Sequence, residues 1–165
     1  MDPRFDAMPE RRPSALVLHP DVSIRAELGW ALGARDMASV SAADGASGLA
    51  LLLEELLALD ALVVKLDLPG RDARAFADLV RRAGGEQELA IVVLASDPSP
   101  SLRDELAALG VDEVVDPRLG PGTVADAVIA AVWRRRSGAG AGTRAPRSQR
   151  RLRETEGLDT FSTAA

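Results

Sequence analysis

Asp60-Ala61-Leu62-Val63-Val64-Lys65-Leu66-Asp67-Leu68-Pro69-Gly70-Arg71-Asp72-Ala73 runs through three local patterns in succession. Ala61 to Val64 is a continuous apolar run with no polar alternation, the pattern of a short strand buried on both faces. Lys65 stops the run, and Leu66-Asp67-Leu68-Pro69-Gly70 carries turn chemistry. Helical spacing resumes from Arg71 to Arg82. Strand, loop and helix in that order make one βα unit.

The unit recurs on both sides of this stretch. Ala15–Leu18 is a first strand, followed by a helix over Asp21–Arg35 with Ile24, Leu28, Ala31 and Leu32 on one face. Met37–Ser41 and Gly45–Leu57 are the second strand and helix. Downstream, Ala90–Leu94 precedes a helix over Ser101–Leu109, and Glu113–Val115 precedes one over Thr123–Arg135. Thr123 and Asp126 resemble a capping box at the start of that last helix. Strands alternating with helices predict an α/β domain of the (βα)5 kind, a doubly wound parallel sheet in strand order 2-1-3-4-5. In that order the functional crevice lies at the C-terminal ends of strands one, three and four. Those ends are His19-Pro20, Lys65 and Ala95-Ser96.

The chain of 165 residues suits one domain with tails, and 47% hydrophobic residues suffice for a core. Aromatics are only 3%, so that core is built from Ala, Leu and Val. With no Cys, disulfides, thiolate metal sites and cysteine nucleophiles are excluded. A single His, His19, excludes multi-histidine zinc sites. No apolar run approaches the roughly 18 residues of a membrane span. Met1–Pro13 is charged and lacks a hydrophobic signal-peptide core, so a cytoplasmic protein is expected.

Charge is unevenly spread. Residues 1–133 hold 12 Lys+Arg against 22 Asp+Glu, a net −10, whereas residues 134–165 hold 8 Arg against 3 acids, a net +5. The organisation expected is a disordered N-terminal arm at 1–13, a domain at 14–133 and a flexible Arg-rich tail at 134–165. The tail begins with the linker Ser137–Thr143 and carries Arg144, Arg147, Arg150, Arg151 and Arg153. A basic tail is one route to nucleic acid or another acidic partner, but the acidic body opposes nucleic acid and no aromatics stand ready to stack bases.

The 60–73 stretch, with Pro69-Gly70 and Asp72 in place, resembles the third strand and following loop of a bacterial two-component response regulator receiver domain. Ile24-Arg25, Ala43-Asp44-Gly45 and Leu109-Gly110-Val111-Asp112 support the resemblance, which covers residues 14–133. It implies the flavodoxin-like receiver fold, and a family chemistry of phosphoryl transfer to an aspartate aided by Mg²⁺, a hydroxyl and a lysine. Carried over residue by residue, that chemistry is missing. The metal-binding acids fall on His19 and Pro20, the phosphoacceptor on Lys65, and the hydroxyl on Ala95, with Ser96 adjacent. The lysine falls on Asp116 if one residue is missing from the preceding loop, otherwise on Pro117. The switch aromatic falls on Val114. The resemblance is therefore to a degenerate form, a pseudo-receiver, with no metal, no cofactor and no enzymatic activity expected. A relocated phosphoacceptor pocket built from Asp21 and Asp67 is the alternative, although an ammonium at Lys65 opposes Mg²⁺ there. Lys65 and Asp116 are also expected to form an inverted ion pair closing the site.

The sequence carries no other catalytic motif. Gly138-Ala139-Gly140-Ala141-Gly142 follows a helix and precedes none, unlike a dinucleotide loop. No nucleophile elbow or P-loop sequence occurs. Function is expected on the outside, as phosphorylation-independent binding to a signalling protein or homodimerisation through the first and fifth helices. Trp30 lies roughly 145° from the core side of its helix, and Trp133 falls on the outer side of its own. Both are candidate partner anchors.

Overall fold

Three runs of residues dictate the architecture: Ala15–Leu18, Ala61–Val64 and Ala90–Leu94 are essentially inaccessible to water along their whole length. Successive side chains on a strand point to opposite faces, so strands of this kind need cover on both sides. The computed structural model, which describes residues 11–83 and 89–138, supplies it. The elements are β1 (Ser14–Leu18), α1 (Val22–Gly33), β2 (Ala38–Ala42), α2 (Gly45–Glu55), β3 (Ala61–Lys65), α3 (Ala73–Ala83), β4 (Ala90–Leu94), α4 (Pro100–Ala108), β5 (Glu113–Val115) and α5 (Pro121–Arg136), with a 3₁₀ turn at Pro117–Leu119. The strands form one parallel sheet in the expected order, β2-β1-β3-β4-β5.

Residue parity sorts the core into two layers. Leu16, Leu18, Leu62, Val64, Ile91 and Val93 face α2, α3 and α4, where Phe76 is fully buried. Ala15, Val17, Ala61, Val63, Val92 and Leu94 face α1 and α5, meeting Leu28, Leu32, Val124 and Val128. Each fully buried Leu or Ile contributes about 1.5–3 kcal/mol.

Several boundaries differ from expectation for identifiable reasons. Met37 is not the first residue of β2; its side chain turns into the α1/α5 layer, and the ladder starts where Ala38 N–H donates to the Pro13 carbonyl. α3 begins at Ala73 rather than Arg71, because the Asp72 carboxylate accepts from Ala75 N–H. The capping box at Thr123 does not form. α5 starts two residues earlier at Pro121, Gly120 has a φ of +100°, the Thr123 hydroxyl donates to the Leu119 carbonyl, and Asp126 pairs instead with Arg35. α5 also runs to Arg136, past the boundary set at Trp133. Of the arm, residues 11–13 are described, and Arg11 donates to the Ala58 carbonyl and to Asp60. Residues 1–10 and 139–165 lie outside the described residues. Among the described residues, no helix is long and apolar enough to cross a membrane.

Two half-buried aspartates secure the N-terminal edge of the sheet. Asp60 accepts from Ser14 N–H at 2.9 Å and from Arg136 at 3.0 Å, joining β1 to the end of α5. Asp112 accepts from Ile91 N–H at 2.8 Å, from Arg81 at 3.1 Å and from Arg135 at 2.7 Å. Removing the Asp112 carboxylate strands a strand N–H and leaves Arg81 and Arg135 without this acceptor. We expect Asp112→Ala to cost about 2–3 kcal/mol in urea unfolding, with a reversible two-state transition retained.

Candidate functional site

The crevice above the C-terminal strand ends is assembled from four loops. At the end of β1, His19 is only 5% exposed and is the one buried polar or charged side chain among the described residues. Its Nδ1 accepts from Asp21 N–H at 3.0 Å, which places the ring proton on Nε2. Asp21 is itself the N-cap of α1, accepting from Ser23 N–H at 2.8 Å. Arg25, one turn into that helix, reaches back to the His19 carbonyl at 2.7 Å and the Pro20 carbonyl at 3.1 Å. The β1–α1 loop is thus held from both sides.

At the end of β3, Lys65 is half-buried beside His19. The loop that follows is anchored to α2, since Gly45 N–H donates to the Pro69 carbonyl at 2.8 Å. Gly45 is obligatory here, because a Cβ would lie 2.5 Å from Arg71 N. After β4, Ala95 is buried and Ser96 exposed. Asp97 takes a φ of +48° and donates its N–H to Asp116 at 2.9 Å. Asp116, after β5, caps the 3₁₀ turn and pairs with Arg118 at 2.7 Å. The Arg118 side chain, with the Asp97 and Arg118 N–H groups, holds its carboxyl far below the ordinary carboxylate range.

Similarity to known proteins is found in three dimensions alone. No family model matches, and neither does any curated sequence. Among solved structures, the chemotaxis response regulator CheY4 of Vibrio cholerae is similar at TM-score 0.66 and 21% identity, covering 72% of this chain and 98% of that one. A response regulator receiver domain protein from Clostridium thermocellum gives TM-score 0.64 at 15% identity, covering 75% and 97%. A sensor protein from Polaromonas gives TM-score 0.66 at 21% identity, covering 75% and 98%. The chain has the receiver fold.

Within that fold His19, Pro20, Lys65, Ala95 and Asp116 all fall at the crevice, but they do not act together as expected. The inverted Lys65–Asp116 ion pair is absent, because Asp116 is satisfied by the nearer Arg118 and by two backbone N–H groups. Lys65 makes no ion pair among the described residues. A receiver's Mg²⁺ does not fit these side chains: an ammonium stands at the end of β3, the His19 Nδ1 is occupied, and Asp21 is spent as a cap. Nowhere among the described residues do three or more His, Cys, Asp or Glu side chains converge as ligands. Asp67 is exposed, and the Asp21 carboxylate caps the first turn of α1.

Trp30 and Trp133 are both exposed, at 84% and 59%, on adjoining helices of one face. They do not share a pocket. Trp30 borders an open apolar groove of about 570 Å³ with Ala26, Glu27, Ala31, Ala34 and Pro121. Trp133 lies near the other end of α5, about 18 Å further along the helix axis, with the Arg136 guanidinium 5.8 Å from its ring. The tail arginines Arg144, Arg147, Arg150, Arg151 and Arg153 lie outside the described residues.

Sequence reasoning missed Arg25 and Arg118 as the residues that organise the crevice. Arg118 had a signal: Asp116-Pro117 is a start signal for a helical turn, with an arginine two residues on.

Burial first, and then the Lys65 ammonium, hold the His19 imidazole below its ordinary value of 6.5, with Asp21 opposing and Arg25 adding to the effect. The folded chain therefore binds this proton more weakly than the unfolded chain. Its contribution to stability is complete above about pH 7 and is lost as pH falls through 6.5 towards the lowered native value. We expect the urea midpoint to decline from pH 7 to 5.5, and His19→Asn, which retains an acceptor for Asp21 N–H, to flatten that decline. A double-mutant cycle on Lys65→Met and Asp116→Leu should give losses additive within about 0.5 kcal/mol.

Proposed function

We propose that this domain is a pseudo-receiver, a cytoplasmic signalling module of two-component type that binds a protein partner without receiving a phosphoryl group. The observation that carries the proposal is Lys65. In a phosphoacceptor the end of β3 must present a carboxylate nucleophile, and here it presents a cation that also repels the metal such a reaction requires. His19 and Pro20 supply no metal-binding carboxylate at the end of β1, and Val114 leaves β5 without a switch aromatic. On this reading the module has neither catalytic residues nor cofactor.

What is left to carry a signal is surface. The α1–α5 face offers Trp30 beside an apolar groove, and an exposed indole next to a concave apolar surface suits a protein anchor. Trp133 is the weaker candidate, since Arg136 already lies over its ring. A partner protein is the occupant proposed; homodimerisation through this face is the competing outcome of the test. Binding of nucleic acid through the tail is disfavoured by the net −10 carried by residues 1–133.

Incubation with acetyl phosphate and Mg²⁺ followed by intact mass measurement should leave the chain unmodified, and Lys65→Asp alone should not restore acceptance, because the acids at β1 are still missing. A phosphoryl adduct on Asp67 in the natural chain would sink the proposal. In affinity capture with quantitative mass spectrometry, Trp30→Ala should lower recovery of a specific partner by about tenfold or more, with an unchanged urea midpoint. Capture that collapses with added salt and returns nucleic acid would favour the tail instead.

A further inference from the structure

β2 is an edge strand, and among the described residues nothing pairs with its outer side. Ala38 N–H donates to the Pro13 carbonyl at 2.9 Å, and the Ala42 carbonyl accepts from His19 N–H at 3.1 Å. Backbone groups alternate sides along a strand, so Ala38, Val40 and Ala42 bond inward to β1. Ser39 and Ser41 must then turn both N–H and C=O outward. Native sheets blunt such edges with Lys, Pro, a bulge or brevity. The opposite edge, β5, follows that rule: it is three residues long and begins at Glu113, which pairs with Arg134. β2 has five residues, no charge and no proline.

Its sequence also reads the same in both directions, Ala38-Ser39-Val40-Ser41-Ala42. We propose that β2 is a self-association edge, along which two copies of this chain pair antiparallel about a two-fold axis at Val40. In that register Ser39 of one copy faces Ser41 of the other, at both ends of the contact. Each facing pair exchanges reciprocal main-chain hydrogen bonds, because these are the residues with free outward groups. Val40, 38% exposed, meets its counterpart on the axis as a non-hydrogen-bonded pair. Ala38 faces Ala42, so no bulky or charged side chain of the strand obstructs approach. On the α1 side the residue over Ser39 is Gly29, whose added Cβ would lie 3.4 Å from the Ser39 hydroxyl. Self-pairing about this axis brings the same outward Ser39 and Ser41 groups from both copies, with no charge and no large side chain between them, and a second copy is the occupant proposed. The contact is narrow and the two acidic bodies repel, so the dimer is weak, concentration-dependent and strengthened by added salt. The surface is separate from the α1–α5 face and does not depend on the functional reading above.

The chain has no cysteine, so a single introduced one is unambiguous. On the axis of an antiparallel pair the two Cα atoms lie about 4.5 Å apart, within disulfide range. We expect full-length Val40→Cys to oxidise to a disulfide dimer about tenfold faster than Leu57→Cys, although Leu57 is the more exposed at 83%. Sedimentation equilibrium of the unsubstituted chain should show a dimer that grows with concentration and with salt. Ser41→Pro removes an outward donor without touching the ladder to β1 and should weaken that dimer about tenfold. Val40→Lys sets like charges face to face and should abolish it. Urea midpoints near that of the unsubstituted chain establish that the variants are folded. Equal oxidation rates for the two cysteine variants, a chain that stays monomeric at every concentration, or a folded Val40→Lys chain that dimerises normally would each overturn the proposal.

Discussion

Everything in this molecule depends on the requirement that β1, β3 and β4 be covered on both faces. Their side chains alternate between two apolar layers with no polar residue in either, so neither face tolerates water. Once helices occupy both faces, parallel strands and right-handed crossovers follow, and the loops collect at the two ends of the sheet. The core claims some residues of those loops, such as Leu68 and Ala95, and leaves others to the surface. His19, Lys65 and Asp116, at the strand ends, belong to neither apolar layer.

The two ends of the sheet treat charge differently. At the N-terminal edge Asp60 and Asp112 are half-buried acceptors, each bonded to a strand N–H and to arginines arriving from α5. Charge there serves connection, joining the first strand, the last helix and the residues just before β1. At the C-terminal edge two carboxylates are satisfied locally: Asp21 by the first turn of α1, Asp116 by Arg118 and the Asp97 N–H. Neither of these carboxylates pairs with Lys65, which is half-buried at the end of β3.

The fold was legible because its signal is binary. Continuous apolar runs such as Ala90–Leu94, bounded by turn residues, read correctly as buried strands, and strand–helix alternation implied the topology. What failed were local contests between near-equal alternatives. Thr123 and Asp126 had the spacing of a capping box, but Pro121 could begin the helix earlier, and Arg35 from a distant helix drew Asp126 away. The Lys65–Asp116 pair failed for a similar reason. Formal charges placed by fold analogy attract on paper, yet an arginine two residues from the aspartate wins on loop geometry alone. Helical spacing did put Trp30 and Trp133 on the surface, and it carried no information on how far apart along the face they would lie.

The crevice and the outer surface thus answer to different constraints. A phosphoacceptor site needs several side chains in mutual register at sub-ångström precision, and losing one empties the rest of purpose. An edge strand or an indole on a helix needs only to be left uncovered, which the covering of β1, β3 and β4 neither requires nor forbids. Among the described residues, two features that depart from ordinary surface rules are the bare edge of β2 and the indole of Trp30. Neither departure improves the core, and an uncharged edge carries an aggregation hazard that a single lysine would remove. Their positions, one at the border of the sheet and one on its α1–α5 face, leave room for two contacts to be made at once without competing for the same surface.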